Sequence, residues 1–201
     1  MKKLMALLVV LMLNINCSSD SDSSTPACTP IPCLNGGTSN ANCGCNCPQG
    51  FTGANCGTLV TPTSVKITKI KVKKFPDANS ANNWWDTFPN SDADIYLTVD
   101  NSALTVIYTY LPNYFSNATG LGTVTYDFIP ATPINLTNVS SAYIINLYDY
   151  DGSTNNANND FITLLAFIPF STSQTSFPTT KIVTNGSAGT FECELTLSYV
   201  W

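Results

Sequence analysis

The chain of 201 residues contains neither histidine nor arginine. Without histidine it lacks the commonest general base near neutral pH and the commonest transition-metal ligand. Without arginine, and with a formal net charge of -5, it has no basic footprint for nucleic acid. Glutamate is scarce as well: of 13 acidic residues only Glu192 and Glu194 are glutamates. No Gly-x-Ser-x-Gly elbow and no Walker-type phosphate loop occurs. Long apolar runs are also missing. The longest, Leu4 to Leu13, falls short of the roughly 20 residues a membrane-spanning helix needs. No helix-period segment of useful length follows it. These absences exclude nucleic-acid binding and weigh against an enzyme.

What is present begins with Lys2 and Lys3 ahead of that apolar run, the charged and hydrophobic regions of a secretory signal over residues 1–16. Cys17 follows, then a Ser/Asp-rich stretch to residue 27. This start resembles that of bacterial lipoproteins, and the polar tether resembles surface-exported lipoproteins of the Bacteroidetes. Leu13 stands four residues before Cys17, one more than the usual motif has, and Asn16 replaces the usual small residue. The resemblance implies lipid on Cys17, an outer-membrane location exposed at the surface, and no membrane contact beyond the anchor. An ordinary cleaved signal, giving a secreted protein, is the competing reading.

Eight cysteines in an exported chain point to disulfides. Six of them, Cys28, Cys33, Cys43, Cys45, Cys47 and Cys56, lie within a segment too small to fold on apolar burial alone. Six cysteines allow about 15 pairings, among which spacing does not choose. The segment Asn35-Gly36-Gly37, the Cys-x-Cys at 45 and 47, and Cys47-Pro-Gln-Gly-Phe-Thr-Gly-Ala-Asn-Cys56 resemble an EGF-like domain. The resemblance implies the pairs Cys28–Cys43, Cys33–Cys45 and Cys47–Cys56. No acidic motif precedes Cys28, so this module, residues 28–56, is expected to hold no calcium.

Residues 57–63 read as a linker, and 64–201 as an all-β domain. Segments rich in Val, Ile, Thr, Tyr and Phe are broken by Asn, Pro, Gly and Ser clusters. Strands are expected over 65–75, 94–100, 103–110, 122–129, 133–137, 142–149, 160–168 and 190–200. Eight antiparallel strands of this kind suggest a β-sandwich. In the last, Phe191, Cys193, Leu195 and Leu197 alternate with polar residues, placing Cys193 in the core as a small hydrophobe. Five of eight lysines fall between Lys66 and Lys74. The apolar parity there shifts between Ile67 and Ile70, which suggests a bulge. Lysines guarding an exposed strand are preferred to a basic binding face.

The 11 aspartates fall largely in two groups. One runs from Trp84-Trp85-Asp86 to Asp92-Ala93-Asp94; the other holds Asp149, Asp151 and, beyond an Asn-rich stretch, Asp160. Asp149 and Asp151 are two apart and emerge on one side at a strand end. Asp160 closes the loop, so three carboxylates are expected to converge. Their repulsion calls for a cation, and an all-oxygen cage on flexible loops favours calcium. The adjoining Trp84 and Trp85 read either as one ring in the core and the other at the loop tip, or as both buried.

Asp94-Ile95-Tyr96, Tyr148-Asp149-Tyr150-Asp151 and Asn159-Asp160-Phe161 resemble the loop motifs of the C2 domain, an eight-stranded calcium-binding β-sandwich, with Ile95 where that family has proline. The resemblance implies calcium ligands at Asp86, Asp94, Asp149, Asp151 and Asp160, with Asp92 as a competitor for Asp86. The expected function is a non-enzymatic adhesion or ligand-binding module for a glycan, a protein or an anionic membrane. The alternatives are a structural subunit of a surface complex without obligatory calcium, and a carbohydrate-active hydrolase.

Overall fold

A computed structural model describes residues 29, 31–78, 85–86, 92–152, 159–185 and 189–201. The signal segment, Cys17, Cys28 and Trp84 lie outside these. The described residues are all β, in antiparallel sheets, with no helix.

The amino-terminal part holds four two-residue strands: β1 (Thr38–Ser39), β2 (Cys45–Asn46), β3 (Phe51–Thr52) and β4 (Thr58–Leu59). β1 pairs with β2 and β3 with β4. Disulfides Cys33–Cys45 and Cys47–Cys56 join them, matching two of the expected pairs. Cys43 is disulfide-bonded as well; its expected partner, Cys28, is outside the described residues. β4 falls within the expected linker, so the module's own pairing runs on to Leu59. The module rests on the larger domain. The Phe51 ring meets Phe177 edge-on at 5.3 Å, and Trp201 Nε1 donates to the Val60 carbonyl at 3.4 Å.

The larger domain holds β5 (Ser64–Lys74), β6 (Ala93–Asp100), β7 (Val106–Thr109), β8 (Phe115–Ala118), β9 (Tyr126–Phe128), β10 (Ile134–Leu136), β11 (Tyr143–Asp149), β12 (Phe161–Phe167), β13 (Thr180–Thr184) and β14 (Glu192–Val200). One sheet runs β10-β5-β14-β13, the other β12-β11-β6-β7. β9 shares an edge of β5 with β10, and β8 shares an edge of β6 with β7. Among the described residues each of the eight expected strands is found, with two more, making ten in the larger domain. β8 and β13 were not expected from the sequence. β8 carries polar Ser116 and Asn117, and β13 lies in a Ser/Thr-rich stretch, so neither shows an apolar alternation.

The sheets share one core. Val65, Ile67, Ile70 and Val72 of β5 and Cys193, Leu195 and Leu197 of β14 join Ile95, Leu97 and Val99 of β6 and Ile145 and Leu147 of β11. Each fully buried side chain of this kind contributes about 1.5–3 kcal/mol. Cys193 is a free thiol with no exposed surface, and burial pushes its ionisation far above the usual thiol range.

The expected bulge is present. Thr196 pairs with Lys69 and Leu197 with Ile67, leaving Thr68 unpaired in the β5–β14 ladder. The lysines do not guard an edge, however: β5 is an interior strand flanked by β14 and by β9 and β10. Three of its five lysines meet acids of neighbouring strands: Lys69 on Asp127, Lys71 on Glu194 and Lys73 on Glu192. Cross-strand pairing, which β9 and β14 provide, accounts for these three.

Candidate metal centre

The ends of three adjacent strands and one loop meet at one end of the second sheet. Asp149 ends β11, Asp94 lies near the start of β6, and Asp160 immediately precedes β12. Main-chain bonds lock them together: Asp149 N–H to Asp160 O at 2.8 Å, and Tyr150 N–H to Asp94 O at 2.8 Å.

Asp149 shares the side of β11 that carries Ile145 and Leu147, because side chains alternate along a strand. An aspartate thus occupies a core-facing position, and it has no exposed surface. Its Oδ1 accepts the Asp94 N–H at 2.6 Å. Its Oδ2 is buried and has no hydrogen-bond partner among the described residues. A buried carboxylate oxygen left in this state carries a penalty of about 1–3 kcal/mol or more.

Asp86 and Asp151 complete the cluster. One carboxylate oxygen from each of Asp86, Asp149 and Asp151 lies within 4.8 Å of the other two. The loop bearing Asp86 is anchored by half-buried Trp85, which packs on the core and donates from Nε1 to Pro76 O at 3.0 Å. Trp85 thus fits the core role expected for one tryptophan. Asp151 is held by Asn159, whose Oδ1 accepts the Asp151 N–H at 3.0 Å and whose Nδ2 donates to Tyr96 Oη at 3.0 Å.

Burial, followed by the charges of Asp86, Asp151 and Asp94, pushes the Asp149 carboxyl up to about 6, against the opposing Asp94 N–H. Burial, then Asp94, Asp151 and Asp160, pushes Asp86 up as well. The charged groups acting on both carboxylates are other aspartates. The oxygen-only donor set, the mutual repulsion and the orphaned Asp149 Oδ2 fit a hard divalent cation.

Of the five ligands the resemblance implies, Asp86, Asp149 and Asp151 bring carboxylate oxygens together; Asp160, which strand alternation expected to converge with Asp149 and Asp151, is not in that cluster. Asp160 acts through its main chain, its carbonyl accepting from Asp149 and its N–H donating to Asp151 Oδ2 at 3.2 Å. Asp94 lies at the opposite parity from Ile95 and Leu97, and its Oδ1 accepts the Asn117 N–H at 2.8 Å. Both remain near enough to act on Asp86 by charge. Asp92 is not among the three clustered carboxylates. The Asn-rich insertion 153–158 is outside the described residues.

Two features escaped the sequence. The Asn159-Asp160-Phe161 motif marked Asn159, but not its part in orienting Asp151. An aromatic row also crosses the site. Tyr114 packs on Tyr150 at 4.7 Å, Tyr150 meets Tyr96 at 6.2 Å, Tyr96 stacks on Tyr148 at 5.3 Å, and Tyr148 meets Phe161 at 5.7 Å. Only the Tyr148-Asp-Tyr150 spacing hinted at it.

No family model and no curated protein matches the chain. Among the solved structures similar to part of it are two titled human GIVD cytosolic phospholipase A2, the second in complex with methyl gamma-linolenyl fluorophosphonate inhibitor and terbium chloride. They are 13% and 14% identical to it, with TM-scores of 0.43 and 0.35, and the matches cover 67% and 68% of this chain but only 15% and 17% of theirs. Likeness at that level carries no weight for activity, substrate or partner.

Proposed function

We propose that the chain is a lipid-anchored surface protein in which an EGF-like module, residues 28–56, carries a C2-like β-sandwich that binds calcium and presents it to a ligand without catalysing a reaction. Asp86, Asp149 and Asp151 hold the ion, with Asp94 and Asp160 adding negative potential at its rim. One observation carries this reading: a fully buried Asp149 with an unpartnered Oδ2 faces two further carboxylates. A cation there would satisfy that oxygen and remove the repulsion at once. The absence of histidine and of a nucleophile motif supports a binding rather than a catalytic role.

Calorimetric titration of calcium into the full chain, beside an Asp149→Asn/Asp151→Asn variant, tests it. Binding heat in the first and none in the second is expected. Equal absence of heat in both, with melting temperatures indifferent to calcium, would remove the reading. The structural-subunit alternative is favoured by exposed Phe161 and Leu164 on edge strand β12 and Ile168 just after it, which are 49%, 44% and 44% exposed. Concentration-dependent self-association lost in Leu164→Ser would favour it.

A further inference from the structure

Edge strands β12 and β13 each end one of the two sheets, and they approach one another along one side of the sandwich. Toward the Asp160 end of β12 they are tied, Asn185 Nδ2 donating to Thr163 Oγ1 at 3.4 Å. At the other end a cavity of about 490 Å³ lies between them, within the range of about 300–1,000 Å³ usual for small-molecule sites. Phe167, Ile168 and Val183 give it apolar walls, and Ala142 and Ala166, with their short side chains, leave it open. Lys181, Ser171 and Thr184 are the polar residues of its lining.

Lys181 shares the inward side of β13 with Val183, because side chains alternate along a strand. A lysine therefore stands at a core-facing position. Its cross-strand neighbour is Leu195, whereas Glu194 and Glu192 oppose Ile182 and Thr184, on the other face of the sheet. Nζ donates to the Ile168 carbonyl at 2.6 Å, which uses one of the donors of the ammonium. No carboxylate of a described residue pairs with it. The internal segments outside the described residues, 79–84, 87–91, 153–158 and 186–188, contain no acidic residue. Burial alone holds its ionisation below the usual lysine range. Lys66 and Lys74 also have no ion pair among the described residues, but neither lines this cavity.

An inward lysine at a sheet edge discourages edge-to-edge pairing, a role that needs no cavity. Here the ammonium lies at a cavity of ligand size with apolar walls, and the two features select a ligand together. A small inorganic anion would pair with Lys181 but leave the walls uncovered. A neutral hydrocarbon would cover the walls and desolvate the ammonium without a partner, which is costly. A carboxylate bearing an aliphatic tail meets both requirements, with a charge-assisted hydrogen bond at its head and apolar burial along its chain.

We propose that the groove between β12 and β13 binds an aliphatic carboxylate of the fatty-acid class, its head on Lys181 Nζ and its chain along Phe167, Ile168 and Val183. The site stands apart from the metal centre, since Asp160 precedes one end of β12 and Ile168 follows the other. The 7 residues between them span roughly 20 Å.

The test is a nuclear magnetic resonance titration of the full chain with octanoate, 1-octanol and acetate, in chelator so that no ion occupies the aspartate cluster. Octanoate should shift the amide signals of residues 166–168 and 181–184 saturably, and bind about tenfold or more tightly than either 1-octanol or acetate. Lys181→Met should abolish the preference for octanoate over 1-octanol. Ala166→Phe, at an exposed position, keeps the lysine and fills the groove, and should weaken both ligands about tenfold or more. Absence of octanoate binding, equal affinity for octanoate and 1-octanol, or saturable shifts confined to other residues would each overturn the proposal. So would a preference for octanoate that survives Lys181→Met. Should Lys181→Met fail to fold, Ala166→Phe decides: octanoate affinity unchanged in that variant overturns the proposal, and affinity lost with the melting temperature retained supports it.

Discussion

Asp149 Oδ1 accepts the main-chain N–H of Asp94 at 2.6 Å, while Oδ2 of the same buried carboxylate has no hydrogen-bond partner among the described residues. The bond to Asp94 fixes the orientation of the group; the free oxygen gives that orientation a use. Replacing Asp149 by Asn keeps the acceptor and removes the charge. Calcium affinity should then fall about 100-fold or more, whereas the calcium-free melting temperature should hold or rise, since the repulsion with Asp86 and Asp151 is relieved. Paired calorimetry and thermal melts measure both effects.

The raised carboxyl of Asp149 makes calcium-free stability depend on pH. Its folded value of about 6 lies above the ordinary 3.8, so the folded state binds a proton more tightly than the unfolded one. This contribution is complete below about pH 4 and is lost as pH rises through about 6, a change on the order of 3 kcal/mol. The calcium-free chain should therefore melt at a lower temperature at pH 7 than this group alone would give at pH 5, and Asp149→Asn should flatten that slope. Calcium competes with the proton, so its affinity should decline below about pH 6.

Asn159 positions Asp151 from behind and ties it to Tyr96. Asn159→Ala should weaken calcium binding about 10-fold or more without removing a carboxylate. Asn159→Asp keeps an acceptor for the Asp151 N–H but loses the donor to Tyr96, and should recover only part of the affinity. A variant that lost stability but kept wild-type calcium affinity would assign Asn159 to the fold alone.

The module and the larger domain meet at Gly50, whose φ is +88°. A Cβ there would come within 2.6 Å of Trp201 and 2.7 Å of Phe177. Gly50→Ala should destabilise that contact by about 1–3 kcal/mol and speed proteolysis within residues 57–63, leaving calcium binding at the far loops unchanged. Limited proteolysis followed by mass analysis reads this directly.

Much of the fold was legible because its strands are half-buried. The alternation in Glu192–Val200, the parity break at Thr68 and the core position of Cys193 all follow from the two-residue period of a strand. β8 and β13 were not, since their partners rather than their own side chains make them strands. The lysines of β5 misled for the same reason: their acidic counterparts lie on β9 and β14, 58 and more than 100 residues away in sequence. At the site, the spacing of Asp149 and Asp151 was enough to bring them together. That Asp86 joins them and Asp160 does not was not legible, because a loop's reach depends on an anchor such as Trp85 to Pro76, which no local pattern encodes.

The most direct test of the account is a crystal structure of the chain grown in calcium, with anomalous scattering used to locate the ion. The account places one peak about 2.3–2.6 Å from oxygens of Asp86, Asp149 and Asp151, with Asp149 Oδ2 among them. A structure grown in saturating calcium with no peak there, and with Asp149 Oδ2 bonded instead to water or to a protein donor, would contradict it.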